Sequence, residues 1–315
     1  MVAQKKTKAS KFLTVPTRPV PIDRDRSVAG LLEKMEGAGF GAKQLAEAHR
    51  IWLDMLDDNS TIYLCGSGNL IPSGMRRLLA YVIKNRFVDV IVMSGTVLFQ
   101  DIHETLGRNH YQAHASMDDD ELEASDVVRI GDTLANSEEY QEADEWIGSV
   151  INQLDLSRAY STREFLHLMG RELAEIAHED GIMTAAFKSR IPVFCPDLVG
   201  SELSVGIARA RFEKKSHFTF DTTQDTMEMM QIAQKHVIRA SLRSAACAAR
   251  IWSTWLKFRR TLRAQRRAGT NTRFPSLPIR FRSKPVRLHS AAITRASSAN
   301  YYEEQQRPMY RAIRR

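Results

Sequence analysis

The chain has 315 residues, 43% of them hydrophobic, enough for a real core in one large domain or two ordinary ones. Its formal charge of +8 is unevenly placed: of 45 Lys plus Arg and 37 Asp plus Glu, 19 and 2 fall in residues 236–315, so a mildly acidic body precedes a strongly basic tail. No apolar run approaches the roughly 18 residues of a membrane span, and the N-terminus lacks the apolar stretch of a secretory signal. Cys65, Cys195 and Cys247 form no CxxC pair, which excludes a zinc module and suits a reducing cytoplasm.

Residues 1–15 read as a basic, flexible arm, and Pro16, Pro19 and Pro21 favour an extended lead-in. Ser27 to Met35 and Gly41 to Leu56 have helical period, the second with Leu45, Ala48, Trp52, Met55 and Leu56 as its apolar face. Thr61 to Cys65 is then a short run of β-formers, closed by Gly66, Ser67, Gly68 and Asn69. The next segment places Met75, Leu78, Leu79, Val82 and Ile83 on one stripe expected to be buried, with Arg76, Arg77 and Lys84 pointing elsewhere. Val88 to Met93 is nearly all apolar, as befits a parallel strand covered on both faces, and Ser94, Gly95 and Thr96 end it. Strand, helix and strand make a βαβ unit, whose glycine turn could bring backbone amides close to an anionic ligand. The string GSGNLIPSG matches neither the dinucleotide fingerprint nor the P-loop, so simple turn chemistry and a cofactor site both stand open.

Arg108 to Glu123 is polar and holds His110, His114 and the acidic run Asp118 to Glu121, read as a solvated loop in preference to a metal site. An acidic helix follows over Ser137 to Leu154, with Trp146, Ile147, Val150 and Ile151 facing inward. Ser161 and Glu164 form a capping box before a helix over Phe165 to Ala177 with Leu166, Met169, Leu173 and Ile176 in period. Ile191 to Phe194 is a further strand, and Cys195 to Glu202 turns into another helix. Phe218 to Phe220 reads as a strand, and Gln224 to Lys235 begins a Met-rich helix. Repeated βα pairs predict an α/β fold: a Rossmann-like, mostly parallel sheet with helices on both faces.

Several blocks in register resemble the deoxyhypusine synthase family, most of all its bacterial deoxyhypusine-synthase-like branch. They are Asn69-Leu70-Ile71-Pro72-Ser73-Gly74, Val88-Asp89-Val90-Ile91-Val92, Val128-Arg129-Ile130-Gly131-Asp132, Tyr160-Ser161-Thr162-Arg163-Glu164-Phe165 and Ile191-Pro192-Val193-Phe194-Cys195-Pro196. The resemblance implies a cytoplasmic homotetramer with active sites between subunits. It implies an NAD-dependent transfer of the aminobutyl group of spermidine, by way of an enzyme lysine, to an acceptor amine. That acceptor is a protein lysine of the hypusine-bearing factor or a free polyamine. By the same resemblance Asn69, Leu70, Ile71, Ser94 and Gly95 hold the cofactor. Phe99 and Gln100 stand where eukaryotic members have paired Glu, and Gly200 and Val205 where they have Asp. Asp101, Asp197 and Glu202 are the nearby carboxylates that would hold the polyamine in their place.

The resemblance covers about residues 15 to 235, so the body is expected over 16–235, truncated at its C-terminal end, and 236–315 as a separate basic tail. Neither the family's glycine-rich strand turn nor its Trp-Gly-Lys segment, which supplies the nucleophilic lysine, occurs there. Catalysis by this chain as written is therefore not expected. Arg259-Arg260 and Arg266-Arg267 with Trp252, Trp255 and Phe258 suit a nucleic-acid or anionic-membrane tail. A disordered extension and a displaced reading frame are the alternatives. The displaced frame is favoured, because Ala249 to Trp255 can be encoded so that another frame spells Lys-Asn-Leu-Val-His-Leu.

Overall fold

The computed structural model describes residues 15–21, 27–57, 61–114, 116–214, 217–235 and 238–243. The chain divides between residues 59 and 60 into two compact units. In the first, Ser27 caps α1 (Val28–Lys34) by accepting the Gly30 N–H at 3.0 Å, and α2 (Phe40–Asp57) packs beside it. Met55 is buried as expected, whereas Leu45 is exposed and Ala46 takes the buried position on that turn.

The second unit opens with β1 (Thr61–Gly66), all six residues of which are buried. Successive strand residues face opposite sides, so the sheet is covered on both. A π-helical turn, Ile71–Met75, leads into α3 (Arg76–Lys84), followed by the fully buried β2 (Val90–Met93) and by α4 (Gly95–Thr105). The α3 stripe differs from its prediction. Met75 and Leu78 are exposed, Val82 and Ile83 are buried as expected, and Arg76 and Ala80 take the remaining inward positions. An arginine occupies a core position because a carboxylate on α4 meets it there, as described below.

A small antiparallel sheet follows that the sequence did not disclose, built from β3 (Tyr111–Gln112), β4 (Val127–Ile130) and β5 (Thr133–Asn136) in the order β3-β5-β4. Between its strands the acidic run expected to be a loop forms the start of α5 (Asp119–Ala124). Asp118 caps that helix, and Asp119, Asp120 and Glu121 occupy its first turn, where the helix dipole favours negative charge.

Next come α6 (Ser137–Ile151), β6 (Ala159–Tyr160), α7 (Thr162–Ile176), α8 (Ile182–Ser189), β7 (Val193–Phe194), α9 (Glu202–Lys214), β8 (Thr219–Phe220), α10 (Thr222–Lys235) and β9 (Ile238–Arg243). The predicted inward residues Ile147, Val150 and Ile151 of α6 are buried, as are Leu166, Met169 and Leu173 of α7. Half of the expected capping box forms, Ser161 Oγ accepting the Glu164 N–H at 3.1 Å, while the Glu164 carboxylate turns to Arg158. Asp225 of α10 adds a second cap, accepting from the Thr162 and Arg163 N–H groups at 2.8 and 3.0 Å. Helices α6 and α9 cross closely at Gly206, where a Cβ would stand 3.0 Å from the Asp144 carbonyl oxygen.

The main sheet has the order β7-β2-β1-β9, with every pairing parallel. From β1 the chain steps outward to β2 and then β7, but β9 returns to the opposite side of β1. Crossovers therefore reverse direction at β1, the topological feature that opens a crevice at the carboxyl edge of such sheets. With β9 the sheet takes in residues beyond Lys235, the expected end of the body. Residues 244–315, with the rest of the expected basic tail and its displaced-frame reading, and the arm up to residue 14 lie outside the described residues. No described helix is long and apolar enough to cross a membrane.

Candidate functional site

Three segments meet at the carboxyl edge of the sheet: the Gly66–Asn69 turn after β1, the Ser94–Thr96 turn after β2, and Asp197 to Glu202 after β7. The first two are tied by the Ser94 N–H donating to the Gly66 carbonyl at 3.0 Å. Gly66 is required by packing, since a Cβ would lie 2.5 Å from Met93 Sδ, and Gly68 by its φ of +80°. Asn69 is exposed at the rim, and its Oδ1 accepts from Gln100 Nε2 at 3.5 Å. Leu70 is half-buried and Ile71 fully buried, so Ile71 serves the core with its side chain and offers the edge only backbone.

Ser94 caps α4 through its side chain, and the next amide, Gly95 N–H, donates to Asp197 Oδ1 at 3.2 Å. A Cβ at Gly95 would stand 1.9 Å from Ser201 Oγ, so only glycine lets the β2 and β7 turns close on each other. Thr96 Oγ1 donates to Glu202 Oε2 at 2.6 Å. The predicted residues Asn69, Ser94, Gly95, Asp197 and Glu202 thus share one edge. Cys195 lies beneath them as a buried thiol, its pKa raised by burial and then by Asp197.

Asp101 lies elsewhere, wholly buried inside α4 and committed on both oxygens. It accepts the N–H groups of Ile182 and Met183 at the start of α8, each at 2.9 Å, and faces Arg76 Nε at 3.3 Å. Arg76 also donates to Thr105 Oγ1 at 2.9 Å and to the Glu179 carbonyl at 3.1 Å. Burial raises the Asp101 pKa, against the opposing pull of Arg76 and the two amides. This carboxylate holds two helices together and has no surface for a polyamine.

The polar atoms turned toward the crevice are mostly acceptors. Asp197 and Glu202 supply carboxylates and Asn69 an amide oxygen; behind Asn69 lies Gln100, 3% exposed, with a buried Oε1 that has no hydrogen-bond partner among the described residues. The N-terminus of α4, where a phosphate would ordinarily be sought, already holds the Asp197 carboxylate. This acceptor set therefore fits hydroxyl and ammonium groups, such as ribose hydroxyls and polyamine nitrogens, and any anionic portion falls to the Gly66–Asn69 turn, where a Cβ at Gly68 would meet nothing within 4 Å.

One turn further along α4 lies a cluster that sequence reasoning missed. His103, with no exposed surface, packs edge-on to the Tyr140 ring, and Tyr140 Oη lies 3.1 Å from His110 Nε2 while His110 Nδ1 lies 2.8 Å from Glu104. Burial first, and then the neighbouring His110, lowers the His103 pKa to about 4. The i, i+3 spacing of Gln100 and His103 was the available signal.

A parallel sheet whose crossovers reverse at β1 is the architecture that places a ligand crevice at the carboxyl ends of its strands, and it fixes the fold class without fixing the ligand. A family model described as deoxyhypusine synthase matches residues 30–243. The chain belongs to the deoxyhypusine synthase family. It is 37% identical over 226 residues to "Probable deoxyhypusine synthase 2" of Methanosarcina mazei, covering 71% of this chain and 65% of that one. It is 30% identical over 218 residues to a deoxyhypusine synthase-like protein of Elusimicrobium minutum, covering 68% and 58%. The chain thus spans less than two thirds of the length of these relatives. The crystal structure of an Entamoeba histolytica protein assigned as a deoxyhypusine synthase shares the fold, with a TM-score of 0.53 at 18% identity over 72% of this chain and 77% of that one.

Proposed function

We propose that the α/β body binds NAD and a polyamine in the carboxyl-edge crevice, as a deoxyhypusine-synthase-like aminobutyl transferase does with spermidine. The observation that carries this reading is the meeting of Asn69, Gly95, Asp197, Glu202 and the unpartnered Gln100 Oε1 on one edge. Asn69, with the backbone of Leu70 and Ile71 and the Ser94–Gly95 turn, would hold the dinucleotide, and Gln100 Oε1 would accept a ribose hydroxyl. When bound, NAD supplies the hydride acceptor for oxidation of the polyamine's secondary amine. Asp197 and Glu202 would hold the ammonium groups, since each needs a carboxylate close by when taken from water. The acceptor is a protein lysine or a second polyamine, the working form an oligomer, and the compartment the cytoplasm.

On this reading the chain lacks one part. The 315 residues contain no Trp-Gly-Lys, so no lysine of the family's kind is present to take the aminobutyl group. The full chain is expected to bind NAD and spermidine by calorimetry while moving no labelled aminobutyl group to an acceptor. Glu202→Gln should weaken spermidine about tenfold, the scale of one charge-assisted hydrogen bond. Labelled acceptor would overturn the missing-lysine reading, and failure of both ligands to bind would overturn the crevice itself.

A second reading is favoured by charge alone. With 19 basic and 2 acidic residues over 236–315, the chain would act as a non-catalytic, RNA-binding member of the family. RNA affinity that falls steeply with salt and vanishes on truncation after Lys235 would select it.

A further inference from the structure

A cavity of about 810 Å³ lies between α7, α8 and the start of β7, and it is unlike the rest of this acidic body. Its walls carry Arg86, Arg163, Lys188 and Arg190 and not one carboxylate. Apolar side chains line it too, Leu166, Met183 and Val193 among them, together with the rings of Phe187 and His167, whose centroids are 5.1 Å apart. Arg86 precedes β2 and Arg190 precedes β7, so the cavity opens at the amino ends of the strands, opposite the crevice.

The four cations differ in how they are balanced. Arg163 pairs with Glu228 of α10, its Nη2 lying 3.2 Å from Oε1, and Lys188 with Asp180 at 2.7 Å, both carboxylates standing outside the cavity lining. The Arg86 guanidinium donates to the neutral Ser189 carbonyl, at 2.5 Å. Arg190 ends α8 in the left-handed conformation, with a φ of 55°. Among the described residues no carboxylate pairs with either Arg86 or Arg190. We propose that this cavity binds an organic phosphate of nucleotide size, its anionic group meeting Arg86, Arg190 and Lys188 and its planar part lying along Phe187 and His167. The volume falls in the range of small-molecule sites, and an apolar pocket with convergent charges of one sign is the form such sites take. Guanidinium groups recognise phosphate oxygens in paired geometry, which is why two unbalanced arginines outweigh a bare count of charge.

The chain carries its own control. Lys84 and Lys188 both pair with Asp180 and are 50% and 49% exposed, but only Lys188 lines the cavity. Pyridoxal phosphate, an aromatic phosphate that condenses with lysine, is incubated with the full chain, trapped by borohydride and mapped by peptide mass spectrometry. Lys188 should be labelled about tenfold faster than Lys84, and both ATP and inorganic pyrophosphate should protect it. Arg86→Gln with Arg190→Asn, the latter tolerated in the left-handed region, should remove the preference and the protection. Phe187→Leu keeps the charges and should lose protection by ATP while keeping that by pyrophosphate. Equal labelling of Lys84 and Lys188, no protection by either anion, or preference unchanged in the arginine variant would each overturn the proposal.

Discussion

At the carboxyl ends of β1, β2 and β7 the polar side chains near the surface offer oxygens, from Asn69, Asp197 and Glu202 with the buried Gln100 Oε1 behind them, whereas at the amino ends of β2 and β7 they offer the nitrogens of Arg86, Lys188 and Arg190. The same sheet thus offers acceptors at one edge and donors near the other. In the crevice the need of α4's N-terminus for negative charge is met by the protein's own Asp197, which leaves the edge suited to cations and hydroxyls. In the cavity, carboxylates stand only outside the walls, which leaves it suited to an anion. Helix α4 joins the two regions, beginning at the crevice and capping, through Asp101, the helix that walls the cavity.

The largest way to break this arrangement is Asp101→Ala. It removes the nearest of the three carboxylates around the buried Arg76 guanidinium, leaving Glu104 and Glu179 each at 3.9 Å, and uncaps α8, and the expected loss is about 3 kcal/mol, read by chemical denaturation of the full chain. A loss below about 1 kcal/mol would show that Asp101 is not what joins the helices.

Acid comes next. An unfolded His103 titrates near 6.5 and the buried one near 4, so between these values the unfolded chain holds the extra proton and stability falls as pH drops. The full span is worth about 3 kcal/mol. Asp144, lifted by burial to about 6 against the pull of Arg209, acts in the opposite sense, because its native form takes up a proton first. The difference between wild type and His103→Gln, measured from pH 7 to pH 4.5, isolates the histidine, and a difference that does not change with pH would refute its burial in the neutral form.

Gly95→Ala follows, at about 1–3 kcal/mol, because its methyl group overlaps Ser201; adding Ser201→Gly should restore part of the loss. Smallest in stability are Glu202→Gln and Arg190→Asn, both exposed and each within about 0.5 kcal/mol of wild type. Crossed, they sharpen the contrast: the first should weaken spermidine and spare protection by ATP, and the second should do the reverse.

What could be read from the sequence was whatever depends on neighbours along the chain. The apolar runs of β1 and β2, the Ser161 cap and the inward faces of α6 and α7, apart from the exposed Ile176, were legible, because period and capping are local. The α3 face was legible at Val82 and Ile83 but not at its start. Nothing near Arg76 signals that its charge is matched by Asp101, 25 residues away, so Met75 and Leu78 took the core places by default. The antiparallel sheet escaped for the same reason, since two-residue and four-residue strands carry too little alternation to read. Of the crevice, the turns could be placed but not their mutual contact, because Gly95 against Ser201 is a matter of tertiary approach.

The Asp101 anchor also limits how this protein can change. A Cβ at Gly181 would fall 2.1 Å from Asp101 Oδ1, so the tip of one helix is moulded around a single carboxylate carried by another. Positions 76, 101 and 181 can therefore drift only in concert. A designer who wished to redraw the crevice should begin at Asn69 or Glu202 and leave that trio untouched.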